Sequence, residues 1–264
     1  MQLNGASRLT LILGDPIAQV KSPAGMTAAM QARGHNALVV PVHVSPANLG
    51  ALLAGAALAQ NLDGIIATIP HKFACFAHCA STSPRAQTLG AVNIMRRTPA
   101  GAWHGDMLDG EGFVAAMRAK GRDPAGETAL LVGAGGAGSA IGLALLQAGV
   151  ARLAVHEPDA TRRAALIAKL AAQHPGRVVE GSANPRGHGL ILNASPAGMR
   201  AADPLPVDIT ALEPSLYVGC VITAPEVPPL IAAARARGCS TGTGTEMYAE
   251  VQKLMLEFLL TPHA

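Results

Sequence analysis

Short apolar, β-branched runs alternate along the chain with longer segments rich in Ala and Leu, the pattern of a protein that interleaves strands with helices. The first predicted strand covers residues 9–13 and ends in Gly14-Asp15-Pro16-Ile17, after which a helix opens at Ser22-Pro23. Ser22 suits the N-cap and Pro23 the first helical turn. A strand over 37–44 leads to a helix that opens at Ser45-Pro46 and runs to about residue 59. A third strand, 64–69, stops at Pro70, and a short helix carries Cys75 and Cys79. Two strands, 91–97 and 102–104, precede a helix from Asp109 to about residue 120.

Residues 122–126, Arg-Asp-Pro-Ala-Gly, have linker chemistry, and the alternation restarts behind them. Strands are expected over 129–132, 152–156, 189–193 and 216–222, with helices over 140–148, 160–174, 228–237 and 246–260. At 264 residues the chain is long enough for two domains. The fold class is α/β. The expected division gives residues 1–108 to an N-terminal α/β domain and 109–244 to a second domain with a parallel sheet. The last helix, within 245–264, is expected to pack back on the first.

Half of the residues are hydrophobic and the mean hydropathy is +0.30, while charged residues make up 14%. Such a chain buries a core instead of staying disordered. With one Trp, two Tyr and four Phe, that core has to be filled by Ala, Val, Leu and Ile. The net charge is +3 and no basic run is longer than Arg96-Arg97 or Arg162-Arg163, which argues against a nucleic-acid partner. The 24 residues 128–151 carry no charge, but six glycines break them into strand, turn and helix, so no membrane span is expected. Four cysteines are too few for a disulfide scaffold in a chain of this length. The start of the chain lacks a signal-peptide pattern, and the expectation is a soluble cytoplasmic protein, monomeric or homodimeric, that acts on a small molecule.

Gly133-Ala134-Gly135-Gly136-Ala137-Gly138 fits G-x-G-x-x-G between a predicted strand and a predicted helix. Glycines permit the tight turn and a close backbone approach, and the helix N-terminus offers N–H groups to a pyrophosphate. The next strand ends at Glu157, 24 residues after Gly133, where an acidic side chain bonds a ribose 2′-hydroxyl. A carboxylate there repels a 2′-phosphate, so NAD is expected in preference to NADP. Arg162 and Arg163 follow in the next helix, where they could still reach a phosphate.

Lys72, in Ala67-Thr68-Ile69-Pro70-His71-Lys72, follows an apolar strand, and strand ends are where α/β proteins place ligand chemistry. A partly desolvated lysine in that position exchanges protons near neutrality. Asp109 lies at the junction of the two expected domains, and a carboxylate facing Lys72 would hold it and stabilise its charge. On spacing alone, solvated loop positions are the stronger reading of both residues. His71, Cys75, His78 and Cys79 recur at helical spacing but lack the second ligand pair that a structural zinc site uses, so no metal is expected.

Taken together, these segments resemble the shikimate dehydrogenase family over nearly the whole chain. The resemblance runs through Gly14-Asp-Pro-Ile, Ser22-Pro23, Thr68-Ile-Pro-His-Lys72, Gly90-Ala-Val-Asn93 and Asp109-Gly-Glu-Gly112. It continues with the glycine turn, Asn193-Ala-Ser-Pro-Ala-Gly-Met199 and Gly244-Thr-Glu-Met247. It implies an N-terminal substrate domain, a C-terminal Rossmann-type domain and reversible hydride transfer between a nicotinamide and a ring carbon bearing a hydroxyl or keto oxygen. In that family Lys72 and Asp109 would be the catalytic pair, and Ser22, Thr68 and Asn93 would meet the substrate. Asn193, Ser195, Met199, Gly244 and Met247 would join the glycine turn and Glu157 at the cofactor. The resemblance further implies shikimate or quinate as substrate and a place in aromatic amino acid biosynthesis or quinate use.

The departures are specific. The first serine of the family's Ser-x-Ser-Pro is Val20, and its substrate-binding glutamine aligns with Val251. Ile66, Ile94, Met107, Leu108 and Thr223 replace an Asn, a Thr, an Asn-Thr pair and a Tyr. Gln252 neighbours Val251, but one helical step turns it about 100° away. The family's Asn-Arg-Thr cofactor motif reads Glu157-Pro158-Asp159, without the arginine that grips a 2′-phosphate. These changes imply a retained redox site with a more apolar pocket. The alternative reading is an NAD(H)-binding sensor without turnover.

Overall fold

The computed structural model describes residues 3–18, 20–200 and 202–261. The chain forms two compact units, Met1–Leu108 with Gln252–Ala264, and Asp109–Val251. The first contains β1 (Arg8–Gly14), α1 (Ser22–Ala32), β2 (Ala37–His43), α2 (Leu49–Ala56), β3 (Leu62–Ala67), α3 (Lys72–Phe76), β4 (Ser81–Thr82), α4 (Pro84–Leu89), β5 (Ile94–Arg97) and β6 (Trp103–Asp106). Its strands form one sheet in the order β2-β1-β3-β5-β6-β4. β1 runs parallel to β2 and β3, whereas the β3–β5 and β5–β6 pairs are antiparallel. The ends of β1 and β3, the start of β5 and the end of β6 therefore lie at one end of the sheet. Ile12, Leu13, Ile65, Ile66 and Ala67 are buried there as near-continuous apolar runs, as strands covered on both faces require.

Arg97 closes the end of α2. Its guanidinium donates to the carbonyls of Ala56, Ala57, Ala59 and Leu62 at 3.0–3.1 Å and lies 5.0 Å from the Trp103 ring centroid. The last carbonyls of a helix have no partner within it, so one planar fork meets several acceptors at once. Arg97→Met is expected to lower the stability of this unit by about 2–3 kcal/mol, seen as a lower midpoint in urea unfolding.

The second unit contains α5 (Asp109–Ala119), β7 (Thr128–Val132), α6 (Gly136–Gln147), β8 (Arg152–His156), α7 (Ala160–Ala171), β9 (Val178–Glu180), β10 (Leu190–Asn193), β11 (Tyr217–Cys220), α8 (Pro229–Ala236), β12 (Ser240–Gly242) and the part of α9 (Gly244–Leu260) up to Val251. Its sheet is parallel throughout, in the order β12-β11-β10-β7-β8-β9. The chain moves outward from β7 to β9, then returns to the other side of β7 to lay down β10, β11 and β12. This is the doubly wound order with its switch point beside β7, where α/β proteins bind ligands. Leu130, Val132, Ile191, Val218, Leu230 and Ile231 fill one side of this sheet without an aromatic ring. The parallel and mixed sheets with their helices give the expected α/β class.

Several local expectations change. Lys21, not Ser22, is the N-cap of α1, and Ser22 is already helical. After Ser45 the chain makes a 3₁₀ turn at Pro46–Asn48 before α2, which stops at Ala56. The apolar pattern does not anticipate β4, α4, β9 or β12. The three strands have two or three residues each, too few for a period to register. α4 does carry readable caps: Ser83 accepts from the Ala86 N–H at 3.2 Å, and Gly90 takes φ 64° after the last turn. Among the described residues no helix is long and apolar enough to cross a membrane.

Candidate active site

In the first unit, backbone bonds tie the candidate loops together at the sheet end where β1, β3 and β6 finish. The Thr68 N–H donates to Leu13 O at 2.9 Å and the Asp15 N–H to Ile69 O at 3.0 Å, so the loops after β1 and β3 run side by side. Lys72 opens α3, and its carbonyl accepts from the Val92 N–H at 2.9 Å. The Ala67 N–H donates to Asn93 O and the Asn93 N–H to Asp106 O. The structure thus brings Thr68, Lys72 and Asn93 into one hydrogen-bonded group. Next to it, His71 is buried with its Nε2 2.8 Å from Val44 O, a structural role.

Asn93 is buried, and its Oδ1 accepts from the Leu108 N–H at 2.9 Å. The buried Asp106 carboxylate accepts from the Met107 N–H at 2.7 Å, from Ser83 Oγ and from Arg85 Nε and Nη2 at 2.8 and 2.5 Å. The two side chains fix the backbone that leads to Asp109. No spacing rule announces the Arg85–Asp106 pair, because its partners meet only through α4 and β6. Ser22 and Thr68 are half-buried, and no hydrogen bond joins either hydroxyl to another described residue. Val20, also half-buried, precedes α1 and brings no polar group.

Two of the apolar departures are one event. Ile66 and Ile94 are directly opposite each other across β3 and β5, and both are buried. The two positions at which the resemblance implies polar residues thus form a single apolar cross-strand pair. Met107 and Leu108 are likewise buried.

In the second unit the glycine turn shows a separate reason for each glycine. Gly133 takes φ +104°, and a Cβ there would stand 2.9 Å from the backbone of Ala194 and Ser195. A Cβ on Gly138 would collide with the carbonyl oxygen of Gly133. At Gly135 the same test finds nothing within 4 Å, and this residue is the N-cap of α6 without a side-chain cap. The turn is therefore tight at its ends and open in the middle, with the first N–H groups of α6, from Gly136 and Ala137 onward, available to a pyrophosphate. Glu157 is buried: Oε2 accepts from the Ala134 N–H at 3.0 Å, and Oε1 from the Asp159 N–H and Arg162 Nη2 at 3.1 Å each.

The remaining cofactor candidates divide by role. Asn193 is buried and spends its amide on the loop after β10. Its Oδ1 accepts from the Ser195 N–H at 3.1 Å and Ser195 Oγ at 2.6 Å, and its Nδ2 donates to Ala197 O at 3.3 Å. Met199 stands 42% exposed after Gly198. A Cβ on Gly244 would strike the carbonyls of Val221 and Ile222, so this glycine lets α9 start against the end of β11. Met247 is buried.

Asp109 opens α5 and is buried. Its neighbour Gly110 lies against the Ala140 carbonyl of α6, where a Cβ would collide, and Gly112 lies against Val251 in the same way. The glycines of Asp109-Gly-Glu-Gly112 therefore set α5 against α6 and α9 at backbone distance, holding Asp109 in register with the helix of the glycine turn. Val251 is buried in this contact. Thr243 and Glu246 form a reciprocal cap at the start of α9, the Thr243 N–H donating to Glu246 Oε2 at 2.9 Å.

Burial pushes the Cys75 thiol up to about 12 and that of Cys79 up to about 11, so both stay protonated at neutral pH. Among the described residues no group of three His, Cys, Asp or Glu could hold a metal ion.

The family model of the shikimate dehydrogenase substrate binding domain matches residues 12–95. A shikimate dehydrogenase (NADP(+)) of Acidiphilium cryptum is 35% identical over 265 residues, covering 99% of this chain and 94% of its own. The chain belongs to the shikimate dehydrogenase family. Among solved structures, the shikimate dehydrogenase family member is similar to the quinate dehydrogenase of Corynebacterium glutamicum in complex with NAD. That protein is 30% identical with a TM-score of 0.86, over 96% of this chain and 94% of that one. It is also similar to ligand-free 5-ketofructose reductase of a Gluconobacter species, 27% identical with a TM-score of 0.84, over 96% and 93%.

Proposed function

We propose that this oxidoreductase prefers NAD to NADP and acts on a ring alcohol that carries fewer hydroxyls than shikimate. The observation that carries the cofactor half is the buried Glu157 carboxylate bonded to the Ala134 N–H inside the glycine turn. A 2′-phosphate brought there meets a fixed negative charge, whereas a 2′-hydroxyl donates to it. Both nearby arginines are held by acceptors. Arg162 pairs with Glu157 and Asp159 at 3.1 and 3.3 Å. Arg163 donates to Glu157 O at 2.5 Å and pairs with Glu180 at 3.0 Å. Relatives divide on this point, since the Acidiphilium protein is named for NADP(+) and the Corynebacterium structure holds NAD.

For the substrate half, Val20 and Val251 stand where the family has a serine and a glutamine. Losing two hydrogen bonds to a charged group costs about 3–6 kcal/mol, which is about 10²–10⁴ in kcat/KM for shikimate. Ser22, Thr68 and Asn93 remain as the polar contacts. Similarity to a 5-ketofructose reductase supports a family framework that serves substrates other than shikimate. A bound nicotinamide supplies a hydride acceptor or donor at its C4. The chain supplies Lys72, which exchanges the proton of the reacting oxygen, and Asp109, the second member of the catalytic pair that the family resemblance implies. Gly133, Gly135, Gly136, Ala137 and Gly138 cradle the pyrophosphate, with Asn193 shaping the adjoining loop.

The test is reduction of NAD and NADP at alkaline pH with shikimate, quinate and less hydroxylated ring alcohols. Efficient turnover of shikimate at micromolar KM overturns the substrate reading, and a preference for NADP overturns the cofactor reading. In the same assay Glu157→Ser is expected to raise the NADP-to-NAD ratio of kcat/KM by about 10–100-fold, the equivalent of one charged contact.

A further inference from the structure

We propose that Asp203 is a positioning residue for the nicotinamide half of the cofactor, holding Met199 as the surface on which the ring rests. The inference depends on the dinucleotide reading for the kind of ligand and adds a residue outside the glycine turn. A dinucleotide lies across the switch point of a doubly wound sheet, with one nucleotide on each half. In that arrangement Glu157, just after β8, takes the adenosine ribose, and the glycine turn after β7 takes the pyrophosphate. β10 pairs with β7 on the side away from β8, so the second nucleotide falls over the loop that follows β10. That loop starts in contact with the turn. The Ala194 N–H donates to Val132 O at 2.8 Å, and a Cβ on Gly133 would meet the backbone of Ala194 and Ser195.

The loop is braced at both ends by its own side chains. Asn193 and Ser195 hold the near end, where the Ala197 N–H also donates to Ser195 Oγ at 3.2 Å. At the far end a single oxygen of Asp203, Oδ2, accepts from the Gly198 N–H at 3.2 Å and the Arg200 N–H at 2.8 Å. These two donors flank Met199, whose own N–H donates to Pro196 O at 3.0 Å. Gly198 takes φ +99°, a turn that the Asp203 carboxylate closes. The backbone is therefore fixed on both sides of Met199. Among the described residues the Asp203 carboxylate bonds no side chain, so this bracket is what it does. Met199 is nevertheless 42% exposed. A polarizable thioether is thus held open to solvent on a fixed backbone, and a planar ring is the partner it packs against best.

Calorimetric titration of the full chain with NADH and with ADP-ribose, which lacks the nicotinamide, tests this. Asp203→Ala is expected to weaken NADH by about 3–10-fold, the range of one methionine–ring contact, and to leave ADP-ribose unchanged. Asp203→Asn restores NADH affinity, because both N–H groups use the same oxygen and one amide carbonyl can replace it. Met199→Ala reproduces the selective loss, and adding Asp203→Ala to it costs nothing more, as two residues acting through one contact require. Emission of bound NADH at saturation falls in Asp203→Ala and Met199→Ala alike, since a ring released from Met199 is open to water. NADH affinity unchanged in Asp203→Ala overturns the proposal and leaves the cofactor reading standing. Equal losses for NADH and ADP-ribose, or additive losses in the double variant, overturn it as well. A parent protein that binds neither compound removes the cofactor reading, and this inference with it.

Discussion

Lys72→Ala is expected to lower turnover by about 10²–10⁴-fold while the dissociation constant for NADH stays unchanged. Lys72 belongs to the first unit and the glycine turn to the second, so the substitution leaves the proposed nucleotide contacts intact. The Lys72 carbonyl still accepts from the Val92 N–H, which keeps the segment in place once the amine is gone. Lys72→Arg is expected to fail as a rescue, because a guanidinium does not give up its proton. Steady-state rates beside a fluorescence titration with NADH check both halves. Full turnover in Lys72→Ala refutes the assignment. NADH binding by a parent protein that turns over no substrate supports a sensor instead.

Gly138→Ala is expected to abolish measurable NADH binding and to destabilise the second unit by at least about 1–3 kcal/mol. The added methyl collides with the Gly133 carbonyl oxygen, a backbone atom that cannot swing aside as a side chain does. Either the turn opens or α6 moves off β7, and each outcome removes the cradle. Gly135→Ala is the informative comparison. With nothing within 4 Å of its added Cβ, the fold accepts it. The methyl stands on the open middle of the turn, so cofactor affinity falls while the unfolding midpoint holds. Equal effects of the two substitutions on the midpoint would contradict the division of labour within the turn.

Those contrasts show what kind of information the sequence carries. The glycine turn and Glu157 are legible because strand, turn, helix and acid follow one another within a single local unit, and only backbone geometry is needed to interpret them. Alternation of apolar runs likewise reveals β7, β8, β10 and β11, which are buried on both faces. β9 and β12 escape because three residues show no period. The glycines at 110 and 112 can be seen in the sequence, but their purpose depends on which residues stand opposite, Ala140 and Val251. Gln252 illustrates the same limit. A helical wheel gives its angle from Val251, and only tertiary packing says that α1, with Gly25 at the contact, lies in that direction. The pairings of Arg85 and Arg97 are not legible in the sequence because their acceptors come from distant segments.

Trp103, under the guanidinium of Arg97, is the single tryptophan of the chain and is 5% exposed in the first unit. Indole emission is therefore a private signal of that unit, and the nucleotide-binding sheet is dark in it. Far-UV circular dichroism, by contrast, sums both sheets and all their helices. If denaturant curves from the two optical probes superimpose, the units melt in a single cooperative step; if they separate, the tryptophan curve isolates the melting of the Trp103 unit without a label.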